Sequence, residues 1–364
     1  MAPTKRPTIA DVARSAGVSK GAVSYALNGL PGVSELTRAR ILGVAGDLGW
    51  QPSSVARALA ASRAGAVGLV IARPASTLGV EMFYMQLISG IEAELAGRSV
   101  ALLLQVVADL DAEIETYHRW SAQHRVDGVF LTDIREVDPR VGVLEELGLP
   151  AVVVGGKGRH GSLPRIWSDD ALAMGTVVRY LAALDHRRIA RVAGRPDFLH
   201  TQIRTEAFHE VCASLGITER TVATDFSGDQ GADATRDLLS RTPRPTALVF
   251  DNDVMAVAGS AVAHEMGFAV PRDVSIVAWD DSVLCRLVHP PLTALARDIS
   301  AFGRHAAQLL LTRSVSGVAG DREDPPPRLV PRGSTAVAPP EDGHRTGAVA
   351  VPPVLLRNRV VSAP

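Results

Sequence analysis

Two spacings of apolar residues divide the chain. Between residues 8 and 50 they recur every three to four positions, the period of helices with one buried face. Thr8 stands before Ile9, Val12, Ala13 and Ala16, so its hydroxyl is expected to cap free amides, and Asp11 suits the positive helix end. Gly17 permits the left-handed turn that stops this helix. Ser19 opens a second helix with Ala22, Val23, Ala26 and Leu27 on one face and Lys20, Gly21, Ser24, Tyr25 and Asn28 on the other. Ser34 opens a third, carrying Ile41, Leu42, Ala45 and Leu48, and Gly49 ends it. Gly43 and Gly46 inside it each cost about 1 kcal/mol relative to Ala, so the unit is expected to be marginally stable. Two short helices joined by a three-residue turn with a glycine have helix-turn-helix geometry, whose second helix enters the major groove of DNA. A small helical subdomain without a nucleic-acid role fits the same geometry.

From Ala66 the rhythm changes to short apolar runs alternating with amphipathic stretches. Strand-like runs cover residues 66–72, 100–106, 128–132, 151–154, 189–193, 247–250 and 275–279. Helix-like stretches cover 84–95, 114–124, 172–184, 204–215, 253–266 and 302–312. Such alternation predicts parallel sheets covered by helices. Roughly 270 residues is long for one such sheet, so two similar subdomains are expected. A ligand would then sit beyond the carboxyl ends of the strands, between the two.

The bulk numbers narrow the class without naming it. A chain of 364 residues with 46% hydrophobic and 21% charged residues is an ordinary globular protein of two or three domains. The longest apolar runs, residues 66–72 and 100–108, are far short of the roughly 20 residues a membrane helix needs, so no membrane is expected as partner. The first residues carry no apolar core of a secretory signal, and a cytoplasmic location is expected. Cys212 and Cys285 lack CxxC spacing and read as buried thiols. The net charge of −1 hides an asymmetry: residues 1–63 hold eight Lys/Arg against three acids, +5, which leaves −6 for the remainder. A basic head on an acidic body suits a polyanion at one end only.

Motifs of enzymes are weak here. Residues 17–21 fit GxSxG, but a capped helix precedes them where a hydrolase elbow needs a buried strand. Gly155, Gly156, Lys157 and Gly158 lack the spacing and hydroxyl of a phosphate loop. The ten histidines form no HExxH and no Cys/His cluster. No catalytic residue, metal or cofactor is expected.

The stretch IADVARSAGVSKGAVSYALNGLPGVSELTRARILGVAGDLGWQPSSVARALA resembles, without gaps, the head and hinge of the LacI/GalR repressor family. The resemblance continues to about Ala338. It implies a three-helix helix-turn-helix head and a hinge helix, followed by a two-lobed α/β body of periplasmic-binding-protein type with parallel sheets. By position, Ser19, Lys20, Gly21, Ser24, Tyr25 and Asn28 fall on the recognition helix, and Thr8, Ser34 and Thr37 fall where the family touches phosphates. Residues 53–60 are too short for a stable helix alone. The resemblance implies a hinge that orders in a dimer on the minor groove, with Leu59 as the wedge that kinks the duplex and Arg57 near phosphate. Many members carry Arg where Tyr25 stands, and Gly21 offers no side chain for base reading, so a different operator is expected.

In the body, DHRRIARVAGRP, DNDVMAVAG, VPRDVSIVAWDD and HPPLTAL carry the likeness. It implies that Arg204, Asn252 and Asp280 hydrogen-bond an effector, with Arg73, Phe83, Trp167 and Trp279 on or near the cleft wall. Fixed donors, acceptors and flat apolar faces suit a sugar or sugar derivative. The other readings are a structural ion pair between Arg204 and Asp280, and Trp279 as plain core. Ala278 stands where Gly is usual, Asp185 departs from LGH, and Gly155 and Gly156 occupy a strand end where some sugar-binding members have Asp.

The expected domains are 1–62, head and hinge, and 63–338, the body. Within the body, lobe one spans 63–163 and 295–323, and lobe two 164–294 and 324–338. Residues 339–364 form an extension rich in Pro, Gly and Val. The expected partners are a pseudo-palindromic DNA operator, a carbohydrate effector and a second copy of the chain. The main rival is a periplasmic-type solute-binding protein, which the head argues against.

Overall fold

The computed structural model describes residues 7–27, 29–50, 63–74, 79–156, 158, 160–317 and 319–340. Expectations for Asn28, for the hinge with Arg57 and Leu59, and for residues 341–364 lie outside these.

Helices α1 (Ile9–Ala16), α2 (Lys20–Leu27) and α3 (Glu35–Asp47) form the head. Ser19 Oγ accepts from the Ala22 N–H at 3.1 Å, and Ser34 Oγ from the Thr37 N–H at 3.3 Å, so both caps stand where the sequence puts them. Thr8 and Asp11 form a capping box at the start of α1, in which the Thr8 hydroxyl and N–H both donate to Asp11 Oδ2, at 2.7 and 2.9 Å. Gly17 takes φ +65° and closes α1. Val12, Val23, Ala26, Ile41 and Ala45 share one small core with Trp50 packed against it. Leu42, expected on that face, is 49% exposed; the buried side of α3 centres on Ile41 and Ala45, and Val44 turns inward instead.

The first sheet takes β1 (Ala66–Ala72), β2 (Ala101–Val107), β3 (Val129–Leu131), β4 (Ala151–Val154), β5 (Arg165–Trp167) and, late in the chain, β11 (Arg322–Glu323). The second takes β6 (Arg188–Ala193), β7 (Thr218–Ala223), β8 (Ala247–Phe250), β9 (Ser275–Trp279), β10 (Thr293–Ala296) and β12 (Arg328–Val330). Their orders are β11-β5-β4-β3-β1-β2 and β12-β10-β9-β8-β6-β7. Every pair is parallel except β10 with β12. Helices α4 (Met82–Ala96), α5 (Leu110–Ala122), α6 (Pro139–Glu146) and α12 (Ile299–Ser316) go with the first sheet; α7 (Asp170–Ala183), α8 (Leu199–Ser214), α9 (Gly228–Leu239), α10 (Asp253–Glu265) and α11 (Val283–Leu287) go with the second.

The chain crosses between sheets after β5, after β10 and after β11. Two expected lobe boundaries are corrected by this. Residues 165–167 belong to the first sheet, where β5 pairs with β4, and residues 295–296 to the second, where β10 pairs with β9. Strands of three and four residues show no period of their own; pairing places them. The polar α9 and the half-exposed β7 escaped the periodicity for the same reason: little of either is apolar.

In the first lobe α4 crosses α12 backbone to backbone. A Cβ at Gly90 would collide with the Ser300 carbonyl, and one at Gly303 with that of Leu87. Gly90→Ala is therefore expected to destabilise the body by about 1–3 kcal/mol, the usual cost of overpacking. Gly43→Ala, in the exposed face of α3 with nothing within 4 Å, should stabilise the head by up to about 1 kcal/mol. Urea unfolding of the two variants measures both signs.

Candidate functional site

The carboxyl ends of the parallel strands in the two sheets face each other and enclose a cavity of about 370 Å³. Lobe one contributes Arg73 just past β1, Asp133 just past β3, Trp167 at the end of β5, and Glu81, Phe83 and Tyr84 from the start of α4. Lobe two contributes Asp170, His200, Arg204, Phe226, Asn252, Asp253 and Asp280, and Arg297 stands at a crossing.

Charge is matched pair by pair. Arg73 Nε and Nη2 donate to Asp133 at 2.8 and 3.1 Å, and the Tyr84 hydroxyl donates to the same carboxylate at 2.8 Å. Burial alone would lower Arg73 and raise Asp133; their mutual attraction reverses both, holding the guanidinium well above and the carboxyl well below its ordinary range. Arg204 Nε donates to Asp170 Oδ2 at 2.9 Å and its guanidinium lies 3.7 Å over the Trp279 ring. Arg297 Nε donates to Asp280 Oδ1 at 3.1 Å. Beneath the floor, Arg191 holds Asp251 at 2.8 and 2.6 Å. Burial pushes Glu81 up to about 7, against the pull of Arg73, and Asp253 up to about 6, against the Ser282 hydroxyl. Burial and the Arg204 charge bring His200 down to about 4, so its ring is neutral at neutral pH.

Of the expected effector residues, Arg73, Phe83, Trp167, Arg204, Asn252 and Asp280 all line the cavity. Trp279 does not. It is 1% exposed in the core beside α7 and α8, with Arg204 between it and the cavity, because β9 is covered on both faces. Arg204 and Asp280 are both ion-paired, but with Asp170 and Arg297 rather than with each other. Asn252 is partly committed: Oδ1 accepts from the Met255 N–H at 2.8 Å and Nδ2 donates to the Phe226 carbonyl at 2.9 Å. The sequence reading missed Glu81, Tyr84, Asp133, Asp170, His200, Asp253 and Arg297. Asp133 carried the clearest available signal, since it follows a strand at its carboxyl end. Gly155 and Gly156 take φ +109° and +68°, a backbone conformation that an Asp at this strand end would adopt only with strain.

Lobe two also grips lobe one directly. The Leu199 N–H donates to the Ile134 carbonyl at 2.8 Å, and Arg135 pairs with Asp197 at 3.2 Å. The Arg73 guanidinium lies 4.9 and 4.8 Å from the Phe198 and Phe226 ring centres.

At the head, α2 buries Val23 and Ala26 and leaves Lys20, Gly21 and Tyr25 exposed, with Ser24 half-buried. Arg38 of α3 donates to the Ala26 and Leu30 carbonyls at 2.9 and 2.8 Å, which satisfies the carboxyl end of α2 and fixes its angle. Tyr25 is 48% exposed, its ring edge beside Gly32, where φ is +111°. Thr8, Ser19, Ser34 and Thr37 stand at helix starts, where free N–H groups and hydroxyls suit phosphate. Among the described residues no group of three or more His, Cys, Asp and Glu could hold a metal, and no helix is long and apolar enough to cross a membrane.

The Arg204–Asp170 pair gives a stability prediction. Arg204→Met leaves Asp170 buried without its cation and should cost roughly 3–5 kcal/mol. Adding Asp170→Leu should restore most of the loss, as read from the thermal midpoints of the single and double variants.

Comparison with known proteins agrees with both halves. Residues 8–53 match the bacterial regulatory proteins of the lacI family, and residues 178–335 match a periplasmic binding protein-like domain. The HTH-type transcriptional regulator CelR of Thermobifida fusca is 31% identical over 327 residues, 88% of this chain and 94% of CelR. A transcriptional regulator CelR–cellobiose complex superposes with a TM-score of 0.69 at 29% identity, covering 90% of this chain and all of that one. The lac repressor dimer, bound to operator and the anti-inducer ONPF, gives 0.81 at 25% identity over 91% of this chain and all of its own. With a helix-turn-helix head, two parallel lobes around a polar cleft and a relative this similar along nine-tenths of its length, the chain belongs to the lacI family of bacterial regulatory proteins.

Proposed function

We propose that this chain is a sequence-specific, DNA-binding transcription repressor whose affinity for operator is set by a small polyhydroxylated molecule bound between the lobes. The observation that carries the ligand half is a set of polar atoms left waiting around the cavity. Arg73 Nη1 and Glu81 Oε2 lie 3.7 Å apart, both buried and without a hydrogen-bond partner. Ser168 Oγ and Asp253 Oδ2 are in the same condition. A buried donor or acceptor left unpaired is costly, and a ligand hydroxyl, which both donates and accepts, bridges such a pair. Phe83, Trp167 and Phe226 add flat apolar surface for a ring. A solute-binding protein would need the same cleft but has no use for the exposed face of α2 on a +5 head.

On DNA, Lys20, Gly21, Ser24 and Tyr25 are the base-facing set, with Thr8, Ser19, Ser34 and Thr37 at phosphates. Two copies of the chain present two such faces to a two-fold site. Asn28, Arg57 and Leu59 complete the proposal. In the cleft, Arg73, Phe83, Trp167, Arg204, Asn252 and Asp280 contact the effector, and Trp279 acts only through Arg204. A ligand that prefers one angle between the lobes changes DNA affinity by its differential binding, typically about 1–3 kcal/mol.

The test is selection of full-length protein on a randomised duplex library, followed by affinity measurements with and without small polyols. A pseudo-palindromic winner whose affinity falls steeply with salt is expected, because docking releases condensed counterions. Salt-independent binding, or no sequence preference, defeats the repressor reading. Tyr25→Arg should shift the preferred base at one half-site position by about 1–3 kcal/mol, the value of a bidentate guanine contact. An unchanged selected sequence would show that residue 25 reads no base.

A further inference from the structure

Among the described residues the charges around the cavity do not balance. Arg73, Arg204, Arg297 and the underlying Arg191 take up Asp133, Asp170, Asp280 and Asp251, one carboxylate each. Asp169 stands half-buried at the rim, where it caps α7 by accepting from the Leu172 N–H at 2.9 Å. Among the described lining residues two carboxyls remain, Glu81 at the start of α4 in lobe one and Asp253 at the start of α10 in lobe two. They are 7% and 3% exposed, and each has one oxygen without a partner. Glu81 has only the second claim on Arg73, whose Nε and Nη2 already serve Asp133. Asp253 Oδ1 accepts from the Val254 N–H at 2.9 Å, and the Ser282 hydroxyl beside it brings no charge.

A hydroxyl can bond to such oxygens but cannot neutralise them. Burial of an unmatched negative charge is relieved either by a proton or by a cation. A proton is the remedy that burial enforces on both groups, which sit well above the ordinary carboxylate range. The two carboxyls belong to opposite lobes, and the negative charge of Asp253 adds to what pushes Glu81 up, so one cation between them would also join the lobes.

We propose that the effector is a polyhydroxylated molecule bearing one protonated amino group, an amino sugar or aminocyclitol, whose ammonium sits between Glu81 and Asp253. This rests on the reading of the cleft as the effector site and names the ligand class within it. The hydroxyls of the same molecule would take Arg73 Nη1 and Ser168 Oγ, the remaining unpaired polar atoms. Binding of the cation lowers the pKa of both carboxyls, so binding releases protons. Affinity should therefore rise as pH climbs from about 5.5 through about 7. The groups that face Glu81 are Arg73, Asp133, Asp253 and Asp280; those that face Asp253 are Glu81, Asp280, Ser282 and the neutral Cys285 thiol.

Calorimetry and thermal shift on the full-length protein decide it with three matched series: D-glucose, D-galactose and D-mannose, their 2-amino counterparts, and the N-acetylated forms of those amines. At least one amine should bind about tenfold or more tightly than both its neutral and its N-acetyl counterpart, because the charge-assisted bonds exist in it alone. Its binding should release protons, seen as heats that vary with the ionisation enthalpy of the buffer. Glu81→Gln and Asp253→Asn should each weaken that amine about tenfold without lowering the melting temperature of the empty protein. If a neutral or N-acetyl sugar binds as tightly as its amine, the cation is wrong and the polyhydroxyl reading stands. Silence from all three series overturns both, and undiminished amine binding in both variants overturns the site.

Discussion

A guanidinium taken out of water must be neutralised where it stands, and Arg73 is 3% exposed at the point where the two sheets face each other. Much of the cleft follows from that need. Asp133 answers it in a bidentate pair, which requires the chain after β3 to enter the left-handed region at φ +51°. The turn is in turn held from behind. Arg140 Nη2 donates to the Asp133 carbonyl at 3.0 Å, and that buried arginine needs Glu113 and Asp138 as its own counter-charges. Tyr84 closes the set by donating to Asp133. A chain of ion pairs therefore runs from the cavity into the interior of lobe one, and removing Arg73 or Arg140 leaves buried carboxylates without their cation.

The same arginine reaches across to lobe two through the Phe198 and Phe226 rings. Lobe one is stiff where α4 and α12 touch backbone to backbone through Gly90 and Gly303, since packed interiors resist continuous deformation. Relative motion of the lobes must then be absorbed at the three crossings and at contacts made between side chains. Arg135 with Asp197, and Arg73 with the two phenylalanines, are contacts of that kind. A ligand that engages Arg73 or Phe226 thus acts on the groups that set the angle between the lobes, which is the physical requirement for coupling a cleft to a distant head.

Two-lobed α/β bodies serve more than one purpose, and fold alone does not separate them. The head does. Its core is small, its second helix turns a polar face outward, and Arg38 clamps the end of that helix by two carbonyl bonds. A helix held so firmly with its reading face uncovered is suited to docking against a surface outside the protein.

How much of this was legible without a structure depends on whether the cause was local. The caps at Ser19 and Ser34, the stop at Gly17 and the strands Ala66–Ala72, Ala151–Val154, Ala247–Phe250 and Ser275–Trp279 follow from residues within a few positions of one another, and local sequence is enough to specify them. Resemblance placed Arg73, Phe83, Trp167, Arg204, Asn252 and Asp280 around a cleft, and all six line the cavity, Phe83 and Arg204 from helices and the others from strand ends. What no local pattern contains is partnership. Arg204 finds Asp170 across 34 positions and Arg73 finds Asp133 across 60. The membership of β5 and β10 in their sheets, the retreat of Trp279 behind Arg204, and the surplus of Glu81 and Asp253 are all of this kind. Sequence by itself determined which residues could be helix, strand or charge. Tertiary structure alone decided which charges meet, because electrostatic pairing in a low-dielectric cleft depends on distances that only the folded chain sets.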